Sequence, residues 1–234
     1  VDSIKLLNKS YPNQPLLFNL IGACYKELGE LHGAIKMFES AISLRPNYAE
    51  AHFNLGVVNQ DLDEKIIAIE SYKNAIETKS VYPEAYNNLG NILRELGDYK
   101  ASIDAFEWAI AQKHDFFEAH NNLGGALSDF GRTEDAIKSF KKAISYKSDY
   151  AGAIFNLALA YKDLGKKALW LEMIEKTLKH RPDWSKAYLE LSRIKKFNKN
   201  DPIISKIHKL LTGNKITIND QINFNFTLAK VYED

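Results

Sequence analysis

The sequence predicts an all-α solenoid of stacked antiparallel helix pairs. Two observations lead there. Small residues recur every 34 positions at Gly22, Gly56, Gly90 and Gly124, and Ala158 and Ser192 continue the series. Each period also holds two apolar runs of helical spacing, such as Phe18, Ile21, Tyr25, Leu28 and then Ile35, Phe38, Ile42. A fixed period of roughly 20–50 residues marks an array of stacked units, because one unit cannot bury its own apolar face.

Each part of the period has a physical role. Gly29, Gly97, Gly131 and Gly165 sit between the two runs, where a helix end needs a positive φ. Asp63 fills that slot in the second period and tolerates it better than most residues. Twelve positions after the small residue come Ala34, Ala68, Ser102 and Ala136, where the second helix is expected to cross close to the first. The fifth period places Trp170 there. An indole overpacks an alanine-sized gap at about 1–3 kcal/mol. The helix near 168–179 is therefore expected to tilt outward, with Trp170 covering apolar surface from Tyr188, Leu191 or the tail. Phe38, Tyr72, Phe106, Phe140 and Ile174 follow four positions later, and Ala41, Ala75, Ala109, Ala143 and Thr177 three after that.

This order of small and aromatic residues at a 34-residue period resembles the tetratricopeptide repeat, over roughly residues 1–197. The resemblance implies a right-handed superhelix whose first helices line a concave groove. Counted from Pro15, full repeats span 15–48, 49–82, 83–116, 117–150 and 151–184, and a sixth first helix spans 185–197. Residues 1–14 fit the end of a preceding repeat, with Pro12 at the place of Pro46 and Pro182. Residues 198–234 form a divergent helical tail: a break at Asn198–Pro202, a short amphipathic helix over Ile203–Leu211, and a last helix for which Asp220 is a plausible N-cap. Leu228-Ala229-Lys230-Val231-Tyr232 parallels Leu157-Ala158-Leu159-Ala160-Tyr161, so both ends are expected to lie inside repeats of a longer array. Ile4, Leu6 and Leu7 would then expose apolar surface and favour end-to-end self-association.

Composition narrows the function. Thirty-one Lys and Arg against 30 Asp and Glu give a formal net charge of +1, which argues against nucleic-acid binding through bulk charge. No apolar stretch is long enough for a membrane span. The single cysteine, Cys24, fits a reducing, cytoplasmic setting and is expected to be a small core residue. Two glycosylation sequons, Asn8-Lys9-Ser10 and Asn225-Phe226-Thr227, are short enough to arise by chance. No zinc motif, nucleophile elbow or dinucleotide loop is present, and Gly125–Thr133 departs from a phosphate loop in spacing and in having Arg132 for lysine. His52 and His120 share a repeat position with Phe18, Tyr86 and Tyr188, which suggests packing. A non-enzymatic segment without a cofactor is expected.

The candidate binding residues are ladders. Asn54, Asn88, Asn122 and Asn156 recur every 34 residues on first helices. An amide offers donors and an acceptor, so such a column could hold a peptide backbone without reading its side chains. The alternative is that these amides fix neighbouring helices. Glu50, Glu84 and Glu118 lie one turn before the column, and Glu27, Asp61, Glu95, Asp129 and Asp163 form a late acidic column. Lys26, Arg94 and Lys162 stand beside three of these acids and are expected to neutralise them in part. The Asn and Glu columns resemble the groove of O-linked N-acetylglucosamine transferase, which implies a protein or peptide bound in extended conformation. Arg45, Lys79, Lys113, Lys147 and Arg181 end the second helices, where dipole complementation accounts for them more readily than an anion rail. A chaperone-tail carboxylate clamp is absent: its places hold Asn19 with Ala23, Phe53 with Val57, and Asn87 with Asn91. The tail from Phe224 to Asp234 resembles the linker of bacterial tetratricopeptide sulfotransferases, which implies an alternative role as the recruiting arm of a larger enzyme. A self-assembling spacer is a third reading.

Overall fold

The computed structural model describes residues 13–198, 201–213 and 216–233. The expectations for Ile4, Leu6, Leu7, the first sequon and Pro12 lie outside them. The chain divides into two compact units, Val1–Asn122 and Leu123–Asp234. Unit one holds α1 (Pro15–Glu27), α2 (Leu31–Leu44), α3 (Ala49–Asp61), α4 (Lys65–Thr78), α5 (Pro83–Glu95), α6 (Tyr99–Gln112) and the start of α7 (Phe117–Asp129). Unit two holds the rest of α7, then α8 (Thr133–Tyr146), α9 (Ala151–Asp163), α10 (Lys167–His180), α11 (Ser185–Ile194), α12 (Pro202–Leu211) and α13 (Ile218–Glu233). The described residues contain no strand, and the architecture is an all-α helical repeat solenoid.

Local chemistry sets the helix ends. Pro15, Pro83 and Pro202 open helices where a missing N–H costs nothing. Gly29 at φ 77° closes α1: its N–H donates to the Lys26 carbonyl and that of Glu30 to Tyr25. Asp63 adopts the same conformation at φ 61°, with its N–H donating to Gln60 and that of Glu64 to Asn59.

Within each pair the small residue meets the aromatic of the second helix. A Cβ at Gly56 would lie 2.7 Å from Tyr72 Cε1, at Gly90 2.8 Å from Phe106 Cε1, and at Gly124 2.5 Å from Phe140 Cε1. The fifth pair changes both partners together: Ala158 and Ile174, each fully buried, share one core cluster. Ser102 fits the alanine series because its buried hydroxyl donates to the Gly90 carbonyl at 2.7 Å. Thr177 is likewise fully buried and donates to the Met173 carbonyl at 2.8 Å.

His52, His120 and Tyr188 tie loops to helices, which extends their packing role. His52 Nε2 donates to the Pro46 carbonyl at 2.8 Å, His120 Nε2 to that of His114 at 2.9 Å, and the Tyr188 hydroxyl to that of Pro182 at 2.8 Å. A carbonyl can only accept, so the proton sits on Nε2 in both imidazoles. Cys24 is half-buried rather than a core residue, being on a helix face that is only partly covered.

In unit two Trp170 stays in a helix of the same span as its counterparts, and its half-buried indole packs on the cluster formed by Phe155, Ile174, Tyr188, Leu191, Phe224 and Leu228. Its Nε1 has no hydrogen-bond partner among the described residues. The sixth first helix stops at Ile194, short of residue 197. Asp201 caps α12 by accepting from the Ile203 N–H at 3.0 Å.

The N-cap of α13 is Thr217, not Asp220. Thr217 Oγ1 accepts from the Asp220 N–H at 3.1 Å while Asp220 Oδ2 accepts from the Thr217 N–H at 3.4 Å, a reciprocal capping box reinforced by the Thr217 hydroxyl, which donates to the same Oδ2 at 2.6 Å. Asp220 Oδ1 also accepts from the buried Ser185 hydroxyl at 2.6 Å, which clasps α13 to the start of α11. These hydrogen bonds, Ser185 first and then Thr217, hold the Asp220 carboxyl below its ordinary range. A depressed pKa stabilises the fold above the unfolded value and is lost as pH falls through the folded one. Acidification below about pH 4, the ordinary Asp range, is therefore expected to loosen α13. Asp220→Ala, which takes the acceptor from the buried Ser185 hydroxyl, is expected to loosen it at neutral pH by about 1–3 kcal/mol. Hydrogen exchange of residues 218–233 across pH checks both; equal exchange in wild type and variant at neutral pH would count against the clasp.

Candidate functional site: the first-helix face

The Asn column lies on α3, α5 and α7 in unit one, and Asn156 takes the same position on α9 in unit two. All four side chains are half-buried. Asn54 Nδ2 donates to Asn19 Oδ1 at 3.0 Å, and Asn122 Nδ2 donates to Asn87 Oδ1 at 3.0 Å. Each bond joins the first helices of successive pairs, α1 to α3 and α5 to α7. Where Phe53 replaces the acceptor, Asn88 Nδ2 donates instead to the Tyr72 hydroxyl at 3.3 Å, which donates to Gln60 Oε1 at 3.0 Å. Burial pushes the Tyr72 phenol above its usual range, so it stays protonated and keeps donating. The column thus fixes neighbouring helices, while the Oδ1 atoms of Asn54 and Asn88 have no partner among the described residues.

The acidic columns carry counter-ions of their own. Lys79 Nζ lies 3.5 Å from Glu50 and Lys113 Nζ 4.0 Å from Glu84. Glu95 pairs with Lys65 at 3.2 Å. Glu27, Asp61, Asp129 and Asp163 are exposed, and Glu118 is half-buried. Lys162 does not turn to Asp163 as expected. Its ammonium reaches the buried Glu190 at 2.9 Å and lies 5.2 Å from the Trp170 ring centre, because α11 offers a desolvated carboxylate. Arg193 pairs with the same Glu190.

The basic column has a partner that sequence reasoning missed. Arg45, Lys79, Lys113, Lys147 and Arg181 lie over the rings of Tyr48, Tyr82, Phe116, Tyr150 and Trp184, at 5.1, 4.3, 4.8, 5.8 and 4.8 Å from the ring centres. An aromatic three residues after each cation was the available signal. These contacts occupy the cation on an intramolecular ring face, which favours a structural role over an anion rail. The role of Asn19 and Asn87 as acceptors for Asn54 and Asn122 was also missed, because Phe53 and Phe155 interrupt their column.

Among the described residues no group of three or more His, Cys, Asp or Glu could hold a metal ion. No helix among them is long and apolar enough to cross a membrane. Family models of the TPR repeat match residues 12–63, and models of the tetratricopeptide repeat match 67–113, 87–154 and 151–183. The chain belongs to the tetratricopeptide repeat family. No curated protein sequence matches it. Solved tetratricopeptide structures share the fold. MamA is 28% identical, covering 71% of this chain and 97% of that one at a TM-score of 0.66. YrrB, described as a TPR protein with an unusual peptide-binding site, is 19% identical, covering 79% and 95% at 0.66. PilF of Pseudomonas aeruginosa is 18% identical, covering 94% and 92% at 0.71. Tetratricopeptide repeat proteins are protein-interaction scaffolds.

Proposed function

We propose that the first-helix face binds an extended polypeptide, with Asn54, Asn88 and Asn122 of unit one gripping its backbone and Asn156 repeating that chemistry in unit two. One observation carries the reading: Asn54 and Asn88 are each anchored through Nδ2 while Oδ1 has no partner among the described residues. An amide fixed in orientation loses little freedom on accepting a peptide N–H, so less of the bond is spent on ordering. Glu50, Glu84 and Glu95, each paired with a lysine, and Glu118, Asp61, Asp129 and Asp163 lie on the same first helices as the amides, an acidic surplus that favours a partner with basic side chains.

A peptide array followed by titration of the hits tests this. Asn54→Ala and Asn88→Ala are each expected to weaken binding about 2–10-fold, from about 0.5–1.5 kcal/mol per hydrogen bond. Asn19→Ala separates the two roles, since it removes the clasp and keeps the Asn54 amide. It is expected to lower stability and, by freeing the Asn54 amide to rotate, to weaken binding by less than Asn54→Ala does. Asn54→Ala that lowers stability with unchanged affinity would show the amides to be structural only.

A further inference from the structure

The second helices of unit one present a different surface. Between α2 and α4 runs a cleft of about 380 Å³, with Ile42, Leu55 and Ile67 in its wall and Glu39 and Glu70 at its rim. Two of its polar lining groups are used internally: His52 holds the Pro46 carbonyl, and the Ser71 hydroxyl donates to Ile67 at 2.8 Å. On α6, Trp108 is 59% exposed and stacks on Tyr86, ring centres 6.3 Å apart and 24° between planes. Asp104, one turn before it, and Glu107 beside it line the same depression.

The charges on this surface differ from those on the first helices. Glu50, Glu84 and Glu95 each have a lysine, whereas Glu39, Glu70, Asp104 and Glu107 have no ion-pair partner among the described residues. Neither depression has a Lys or Arg in its lining. Exposed Trp is rare, since it sacrifices a large apolar area, and it is enriched among residues that anchor protein interfaces. Its ring face attracts cations, and flanking carboxylates strengthen that attraction. The same carboxylates repel a phosphate backbone.

We propose that this surface is a second docking site, independent of the first-helix face, for a basic amphipathic segment of a partner protein. The aliphatic side chains of the partner fill the cleft beside Ile42 and Ile67. An Arg or Lys of the partner lies on Trp108 against Asp104 and Glu107. A scaffold with both surfaces can hold two polypeptides at once.

The test uses the full chain and a helical Leu/Arg amphipathic peptide, with a Leu/Glu peptide of the same pattern as control. The Leu/Arg peptide is expected to bind at least tenfold more tightly than the control. Trp108→Ala and the combined Glu39→Gln, Glu70→Gln, Asp104→Asn, Glu107→Gln variant are each expected to weaken it tenfold or more. All five positions are solvent-exposed, and melting temperature is followed to confirm that the fold persists. Asn54→Ala is expected to leave this affinity unchanged, which separates the two sites. Equal affinity for both peptides, or affinity in the neutralised variant within twofold of wild type, would overturn the proposal. Equal weakening by neutralising Glu50, Asp61 and Glu84 would show nonspecific attraction and overturn it too.

Discussion

Replacing Gly124 by Ala is expected to destabilise unit two by about 1–3 kcal/mol, and replacing Phe140 by Ile in the same chain is expected to recover much of that loss. The new Cβ would sit 2.5 Å from Phe140 Cε1, 2.6 Å from Cδ1 and 2.9 Å from Cζ. Phe140 is only 2% exposed, so the ring has little room to swing clear. Helix propensity works the other way, since Ala is favoured over Gly by about 1 kcal/mol in a helix interior. A net loss therefore reports the clash. The fifth pair already contains the solution, with Ala158 opposite Ile174. Phe140→Ile alone leaves space beside Gly124 and is expected to cost about 1–2 kcal/mol, less than a full truncation to Ala. The double variant fills that space with the new methyl. Urea denaturation of the four proteins in a double-mutant cycle is expected to show a favourable coupling of about 0.5–3 kcal/mol. Additivity within about 0.5 kcal/mol would show that the two positions do not share the contact.

Trp170→Ala is expected to cost about 2–4 kcal/mol, somewhat below the value for a fully buried aromatic. The indole covers the cluster that joins α9, α10, α11 and the tail helices, and its ring lies beneath the Lys162 ammonium. Its removal opens apolar surface around Tyr188 and Leu191 and leaves Lys162 with Glu190 alone. Trp170→Phe keeps most of the buried area, and is expected to lose less than half as much. Hydrogen exchange should place the loosening in α11, α12 and α13 and spare α8. A cost for Trp170→Ala below about 0.5 kcal/mol, as at an ordinary surface position, would show that the residue lies outside the packing.

The fold was legible because its determinants are steric and periodic. Gly56 opposite Tyr72 and Gly90 opposite Phe106 leave one residue size possible at each place, and the helix ends at Gly29 and Asp63 require a backbone conformation few residues adopt. The expectation that Trp170 meets apolar surface agrees with the cluster its indole packs against, which includes Tyr188 and Leu191, since its size left few alternatives. The site was harder to read. The Asn54–Asn19 bond joins two columns offset by one residue, so neither column alone discloses it. Lys162 has Asp163 beside it in sequence, and only the packing of α11 brings Glu190 closer. Asp220 looked like a cap because short-range patterns resolve a helix start to within a turn, whereas its bond to Ser185 joins residues far apart in the chain.

Binding of an extended polypeptide on the first-helix face is tested most directly by hydrogen exchange of the full chain, with and without a saturating amount of an array-selected peptide. Slowed exchange is expected in α3, α5 and α7, around Asn54, Asn88 and Asn122, with little change in α4 and α6. An array with no binding peptide, or protection confined to α4 and α6, would contradict it.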